Sequence, residues 1–374
     1  MTFSLSGRST LAASAIVLGL LAHPASAQFT PGNLAVLRAG DGVQTLANTG
    51  SAIFIDQFSV VGSLINSVAI PASGTSALIV SGTATAEGSL TRSADGAYLT
   101  FGGYNTAQPF ASSLPATAAA TVPRGVGQVD ANGNYALVTT SSTAFGGTTT
   151  TSGGLRGVVT DGNNNYWGVG TANSSAARGA YYFGTASAAG FVQTSPSPRV
   201  VNIFNGNLYY SLNTGISVFS GSPTTTAVPS VFITTSASSY DFTFNAGLTL
   251  AYIADDTASA VGGIQRWDFN GTSWSLSYTL GTGVANIGAR GLAVDFSGAN
   301  PIIYATTAES SANRLITISD TGAGSAATTL ATAPANEIFR GLDFTPSAVP
   351  EPSSLALGGI GLWWILARLR RLRR

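Results

Sequence analysis

Over residues 28–349 the chain is written in short apolar runs of Val, Ile, Leu, Tyr and Phe, each cut after a few residues by Asn-Gly, Asp-Gly or Gly-Gly. Those dipeptides accept the positive backbone angles that tight hairpins demand, and no helical period runs between them. A chain punctuated this way folds as many short antiparallel strands. The body is therefore all-β.

A longer period is laid over that punctuation. An Arg-Gly pair, an apolar strand, a turn and a Tyr-centred strand recur together. The clearest copies are Arg124-Gly-Val with Asn132-Gly133 and Tyr135, and Arg156-Gly-Val with Asp161-Gly162 and Tyr166-Trp167. Arg199-Val-Val with Asn205-Gly206 and Tyr209 follows, then Arg290-Gly-Leu with Asp295, Ser297-Gly298 and Tyr304, and a truncated Arg340-Gly-Leu-Asp-Phe. Glu87-Gly88 with Asp95-Gly96 and Tyr98 fits the phase with the charge reversed, and Tyr240-Asp-Phe with Tyr252 fits with the Arg lost. The starts at 87, 124, 156, 199, 240, 290 and 340 are spaced by 32 to 50 residues. A period of ~40–50 residues with several strands in each repeat is that of a β-propeller. The count predicts about seven blades, with six as the other number the spacing allows. The last copy stops after one strand, and a strand over residues 33–38 completes it and closes the ring. A right-handed β-helix is the rival architecture, but its coils of ~20 residues do not appear. The phrases Leu208-Tyr-Tyr210 after Asn205-Gly206, and Tyr252-Ile-Ala-Asp-Asp256, resemble those of the YVTN/NHL-like secreted β-propellers.

Absent residue types limit the chemistry. There is no Cys and no Lys; the one Met is Met1 and the one His is His23. Cys/His zinc sites, Cys or Ser-His nucleophiles, Lys Schiff bases and lysine-bearing phosphate loops are excluded from the body. Asp, Glu, Arg, Tyr, hydroxyls and amides remain. The formal charge of +0 hides an asymmetry, since five of the sixteen Arg (Arg368, Arg370, Arg371, Arg373, Arg374) crowd the last seven positions. The body holds ten Arg against fifteen carboxylates, a poor partner for nucleic acid.

The two ends read as addresses. Residues 1–27 carry Arg8, an apolar run over 11–22 and Ala25-Ser26-Ala27, the pattern of a secretory signal peptide cut by signal peptidase between Ala27 and Gln28. At the other end Pro350-Glu351-Pro352 is followed by an apolar stretch over 355–367 and then the Arg cluster. Thirteen residues make about 20 Å of helix, and the terminal arginines and Trp363-Trp364 help it reach the membrane interfaces. The cationic end lies in the cytoplasm and the body outside. This tripartite tail resembles the PEP-CTERM sorting signal. The resemblance implies handling by an exosortase, a membrane cysteine protease of Gram-negative bacteria that make extracellular polysaccharide, with cleavage near Pro350, Glu351 and Pro352. The expected organisation is a signal peptide over 1–27, a propeller over 28–346 and a sorting signal over 347–374.

If the repeat holds, Glu87, Arg124, Arg156, Arg199, Arg290 and Arg340 occupy equivalent places, and symmetry sets them in a ring able to clamp carboxylates or sulfates of a polysaccharide. The plainer expectation is that each guanidinium caps carbonyls of the neighbouring blade. Asp161, Asn163 and Asn165 alternate as calcium ligands do, as do Asp130, Asn132 and Asn134, yet both runs lack the bidentate Glu of an EF-hand and read first as hairpin turns, with calcium as the lesser alternative. Asp255-Asp256 offers paired carboxylates for glycoside cleavage, although neighbours in a strand face opposite ways. Sialidase-like propellers use Tyr, Glu and clustered Arg, but their Ser-x-Asp-x-Gly-x-Thr-Trp box is not matched by Ser93-Ala-Asp95-Gly96-Ala-Tyr98. Trp167, Trp267 and Trp274 suit either sugar stacking or blade core. The sequence thus points to an exported, non-catalytic component of the cell surface or exopolysaccharide matrix, structural or carbohydrate-binding and needing no cofactor. A hydrolase or lyase acting on polysaccharide is the competing expectation.

Overall fold

The computed structural model describes residues 29–146, 153–173, 177–184, 189–236 and 238–347. The expected signal peptide over 1–27 and residues 348–374 of the expected sorting signal lie outside them. The strands arise where the turn dipeptides leave short stretches of apolar or alternating sequence, of four to eight residues in all but β4. The first three are β1 (Leu34–Ala39), β2 (Ile53–Phe58) and β3 (Leu64–Ala69). A second group is β4 (Thr91–Arg92), β5 (Tyr98–Tyr104), β6 (Arg124–Asp130) and β7 (Tyr135–Ser141). Next come β8 (Gly153–Thr160), β9 (Tyr166–Ala172), β10 (Gly179–Tyr182) and β11 (Gly190–Gln193), then β12 (Val201–Phe204), β13 (Asn207–Leu212), β14 (Gly215–Val218) and β15 (Ser230–Thr234). The series ends with β16 (Ser239–Phe244), β17 (Leu250–Asp255), β18 (Gly263–Phe269) and β19 (Trp274–Leu280), β20 (Ala289–Asp295), β21 (Ile302–Thr307), β22 (Arg314–Ser319) and β23 (Thr328–Thr332), and finally β24 (Ile338–Phe344).

Each group pairs in chain order into a four-stranded antiparallel sheet, and β24 joins β1 to complete the sheet β24-β1-β2-β3. Six blades therefore close into a propeller, locked by the pairing of the last strand with the first, Leu34 opposite Phe344 and Val36 opposite Leu342. The strand expected over residues 33–38 performs this closure. Six is the smaller of the two blade counts the spacing allowed, because Glu87 and Arg124 lie in one blade. Residues 105–123, with a 3-10 turn at Leu114–Ala116, separate β5 from β6 and make the third strand look like a new repeat.

The inner strands β24, β4, β8, β12, β16 and β20 surround the axis, and apolar side chains between successive blades form the core. The Arg-Gly phrase has a backbone cause. Register shifts fall at Arg156, at Tyr240-Asp241, at Arg290-Gly291 and at Arg340-Gly341, so the inner strand bulges there and re-aims its side chain. The glycine is required because inner strands touch backbone to backbone: a Cβ on Gly291 would lie 2.6 Å from Arg340 O and 2.9 Å from Leu342 N.

The outermost strands β3, β7, β11, β15, β19 and β23 contain no charged residue and no Pro, the usual guards of an open edge. In all six blades the pairing of the third and fourth strands carries a register shift. Bulges thus take the place of charge in protecting these edges.

Candidate functional site at the axial mouth

The inner strands start on one face, and residues at or near their starts gather there around the axis. In ring order these are Arg340, Ser89, Arg156, Arg199, Tyr240 and Arg290. Four of the six expected ring members, Arg156, Arg199, Arg290 and Arg340, are therefore brought together. Tyr240 stands among them, with the Arg199 guanidinium over its ring at 5.2 Å from the centroid. Burial raises the Tyr240 pKa, and the charges of all four arginines pull it back. Glu87 lies just before β4, between Arg340 and Arg156. It is buried, accepts from Tyr104 Oη at 2.5 Å and Ser81 N at 3.0 Å, and burial raises its pKa.

Arg124 is elsewhere. It sits on the third strand of its blade at 0% exposure and donates to the carbonyls of Phe145, Val122, Thr117 and Gly153. Its local phrase matches those of the ring, but its role is to bind together the loops around it.

The ring arginines also cap neighbouring backbone. Arg156 reaches Ser197 Oγ at 2.8 Å and Pro198 O at 3.4 Å, and Arg199 reaches Ser239 O at 3.3 Å. Arg340 holds the carbonyls of Ser81, Gly82 and Ala84, and Tyr240 donates to Thr85 O, so residues 81–85 are fastened across the mouth. This commitment is incomplete. The Nε atoms of Arg199 and Arg340 have no hydrogen-bond partner among the described residues. Asp256 spans two blades, 3.0 Å from Arg199 Nη1 and 3.4 Å from Arg290 Nε. Four guanidinium groups thus face two carboxylates.

The axis also encloses a cavity of about 180 Å³, lined by residues of β4, β12, β16, β20 and β24 that include Arg92, Asn202, Asp241 and Asp343. Asp241 accepts from Phe242 N and Leu292 N at 2.8 and 3.0 Å, and Asp343 from Phe344 N and Arg92 N, both at 2.7 Å. Each carboxylate so stitches its own inner strand to the next. Burial pushes Asp343 up to about 6, opposed by those two backbone N–H groups and by Arg92, and pushes Asp241 well above the usual range, with the Asp343 charge adding to it. Sequence reasoning missed both. Their signal is an Asp-Phe pair after the first ring position, which means nothing until the ring closes.

The other candidates have ordinary places. Asp161 accepts from Asn163 N, Asn165 N and Asn165 Nδ2, and Asp130 from Asn132 N, Asn134 N and Asn134 Nδ2; both runs are turns held by an aspartate. Among the described residues no three His, Cys, Asp or Glu side chains gather to hold a metal. Asp255 turns inward to Thr257 N and Gln265 Nε2 while Asp256 turns to the mouth, so the two share no site. Trp167 and Trp267 are buried, and Trp274 packs on Phe232, Phe244 and Phe269.

No protein-family model matches the chain, and no curated protein matches it in sequence. Among solved structures it is similar to a chain of the nidogen/laminin complex, at 12% identity and TM-score 0.50, over 84% of this chain and 100% of that one. The periplasmic gluconolactonase of Pseudomonas aeruginosa aligns at 13% identity and TM-score 0.44 over 80% and 83%. The β-propeller domain of Cps50 from Myceliophteria thermophila aligns at 9% and 0.45 over 83% and 97%. Likeness at these identities is one of fold alone.

Proposed function

We propose that this propeller is a non-catalytic, exported component of the cell surface or exopolysaccharide matrix that binds an acidic polysaccharide at its arginine-lined mouth. The observation that carries the reading is the gathering of Arg156, Arg199, Arg290 and Arg340 on one face with two carboxylates between them. Guanidinium groups recognise carboxylates and sulfates through paired hydrogen bonds, and Arg199 and Arg290, 14% and 12% exposed, are placed for that exchange. The terminal motifs support the route: a signal peptide over 1–27 for export, and a PEP-CTERM-like tail over 347–374 for exosortase handling at Pro350-Glu351-Pro352, with transient anchoring in the inner membrane. A glycan array on the mature domain tests the binding claim. Retention of uronate-bearing or sulfated glycans over neutral ones is expected; no preference for acidic glycans refutes it. Mass spectrometry of the surface protein tests the route, since an intact Arg374 terminus contradicts sorting by cleavage.

A second reading, a polysaccharide hydrolase or lyase, has one observation in its favour: Asp241 and Asp343 line one axial cavity with Arg92, and their carboxyl pKa values are raised. Release of reducing ends or unsaturated products from acidic polysaccharides, abolished in Asp343→Asn, would establish it in place of the first.

A further inference from the structure

The ring of six breaks its arginine pattern twice, at Ser89 and at Tyr240, and each break comes with an acid: Glu87 in one blade, Asp256 in the other. The two acids are held differently. Glu87 is buried and hydrogen-bonded by Ser81 N and Tyr104 Oη, not by any guanidinium. Asp256 is 16% exposed and rests on Arg199 and Arg290, themselves 14% and 12% exposed.

Among the described residues Asp256 is the one aspartate whose oxygens accept from arginine alone. Every other aspartate side chain that accepts hydrogen bonds has at least one backbone N–H, amide or hydroxyl on it, as Asp255 has Thr257 N and Gln265 Nε2, and Asp56 has Ser67 Oγ. Its position is set by the end of β17, where Asp255 locks inward and the next residue is left over the mouth. The contacts are also unequal. Arg199 keeps the carbonyls of Ser238 and Ser239 without Asp256, whereas among the described residues the Arg290 side chain has a hydrogen bond to Asp256 alone, at the longer distance of 3.4 Å.

We infer that Asp256 is a built-in competitor: its carboxylate occupies the place a sugar carboxylate takes, and ligand binding displaces it from Arg290 and Arg199. The inference rests on the acidic-glycan reading of the mouth. The exchange swaps one carboxylate for another on the same guanidinium groups, so the site stays charge-compensated when empty and its affinity is set by how readily Asp256 leaves. A unit negative charge about 5 Å from the incoming carboxylate weakens binding by roughly fourfold with bulk-water screening and by a hundredfold or more with the weaker screening near a protein surface, and roughly tenfold lies between these limits.

The test is a titration of fluorescent oligogalacturonate into wild type, Asp256→Asn, Asp256→Glu and Arg290→Ala, with dextran sulfate as a second probe. Asp256→Asn is expected to bind oligogalacturonate roughly tenfold tighter, Asp256→Glu to bind like wild type, and Arg290→Ala to bind at least tenfold more weakly. Equal gains for dextran sulfate would mean a general anion site, overturning the match to a carboxylate. If wild type binds and Asp256→Asn is unchanged or weaker, Asp256 is not in the ligand's place and the inference is overturned while the glycan reading stands. If neither protein binds, the glycan reading falls first. Should Asp256→Asn lack a native near-ultraviolet circular dichroism spectrum, Asp256→Ser gives the same readout.

Discussion

Acidification of this protein from pH 7.5 towards 4.5 should stabilise it. Asp343 lies at the axis with its carboxyl pushed by burial from the ordinary 3.8 to about 6. Keeping it ionised at neutral pH costs the folded state about 3 kcal/mol relative to the unfolded chain, at 1.36 kcal/mol for each pH unit between the two values. The folded state holds the proton more tightly, so stability rises as pH falls through about 6 and levels off near 3.8. Asp241 and Glu87, both raised by burial, act in the same direction. Asp41, Asp268, Asp295 and Asp320 are held below the usual value, so their stabilisation is lost only in stronger acid. The window is uncluttered because the single His is His23, ahead of the body, and the chain has no Cys. Urea denaturation at half-unit pH steps is the assay. Wild type should gain about 2 kcal/mol or more between pH 7.5 and 4.5, and Asp343→Asn should lose about 2 kcal/mol of that gain. A flat or falling wild-type profile, or an unchanged slope in Asp343→Asn, would refute the placement of a buried, ionisable carboxylate at the axis.

Three further outcomes follow from the geometry. Gly341→Ala would place its Cβ 2.6 Å from the Ser89 carbonyl carbon and 2.8 Å from Gly88 O in the adjoining inner strand, so it should cost at least ~3 kcal/mol by urea denaturation, against about 1 kcal/mol for Gly206→Ala, whose surroundings are open. Arg124→Ala leaves several buried carbonyls without their donor and should cost about 3–5 kcal/mol or prevent folding, whereas Arg290→Ala should cost under about 1 kcal/mol and report only in ligand binding. Asp161→Ala should lower stability by about 1 kcal/mol through loss of its turn hydrogen bonds, and EDTA should leave the melting temperature of wild type within about 1 °C; a large EDTA effect would restore the calcium reading.

The comparison of Arg290 with Arg124 explains how far the sequence carries. Both open an Arg-Gly-apolar strand, and both glycines are needed for close packing. Gly291 abuts the next inner strand, while a Cβ on Gly125 would meet Leu78 and Leu137. The phrase therefore marks a crowded backbone, not a position within the blade, and read as a blade marker it adds one blade too many. All-β class, propeller period and terminal closure were visible because turn dipeptides and strand lengths are local. The ring of Arg156, Arg199, Arg290 and Arg340 was visible because symmetry converts equal phase into equal radius. The pairing of Asp256 with arginines of two different blades, and the meeting of Asp241 with Asp343 in one cavity, depend on closure of the whole ring, and no local pattern encodes them.

The most direct test of the central claim is calorimetric titration of oligogalacturonate into the mature domain and into its Arg156→Ala, Arg199→Ala, Arg290→Ala variant, at low and at physiological salt. The account predicts saturable binding to wild type that weakens with salt, and its loss in the folded triple variant. Binding that survives removal of the three arginines, or no binding by wild type at low salt, would contradict it.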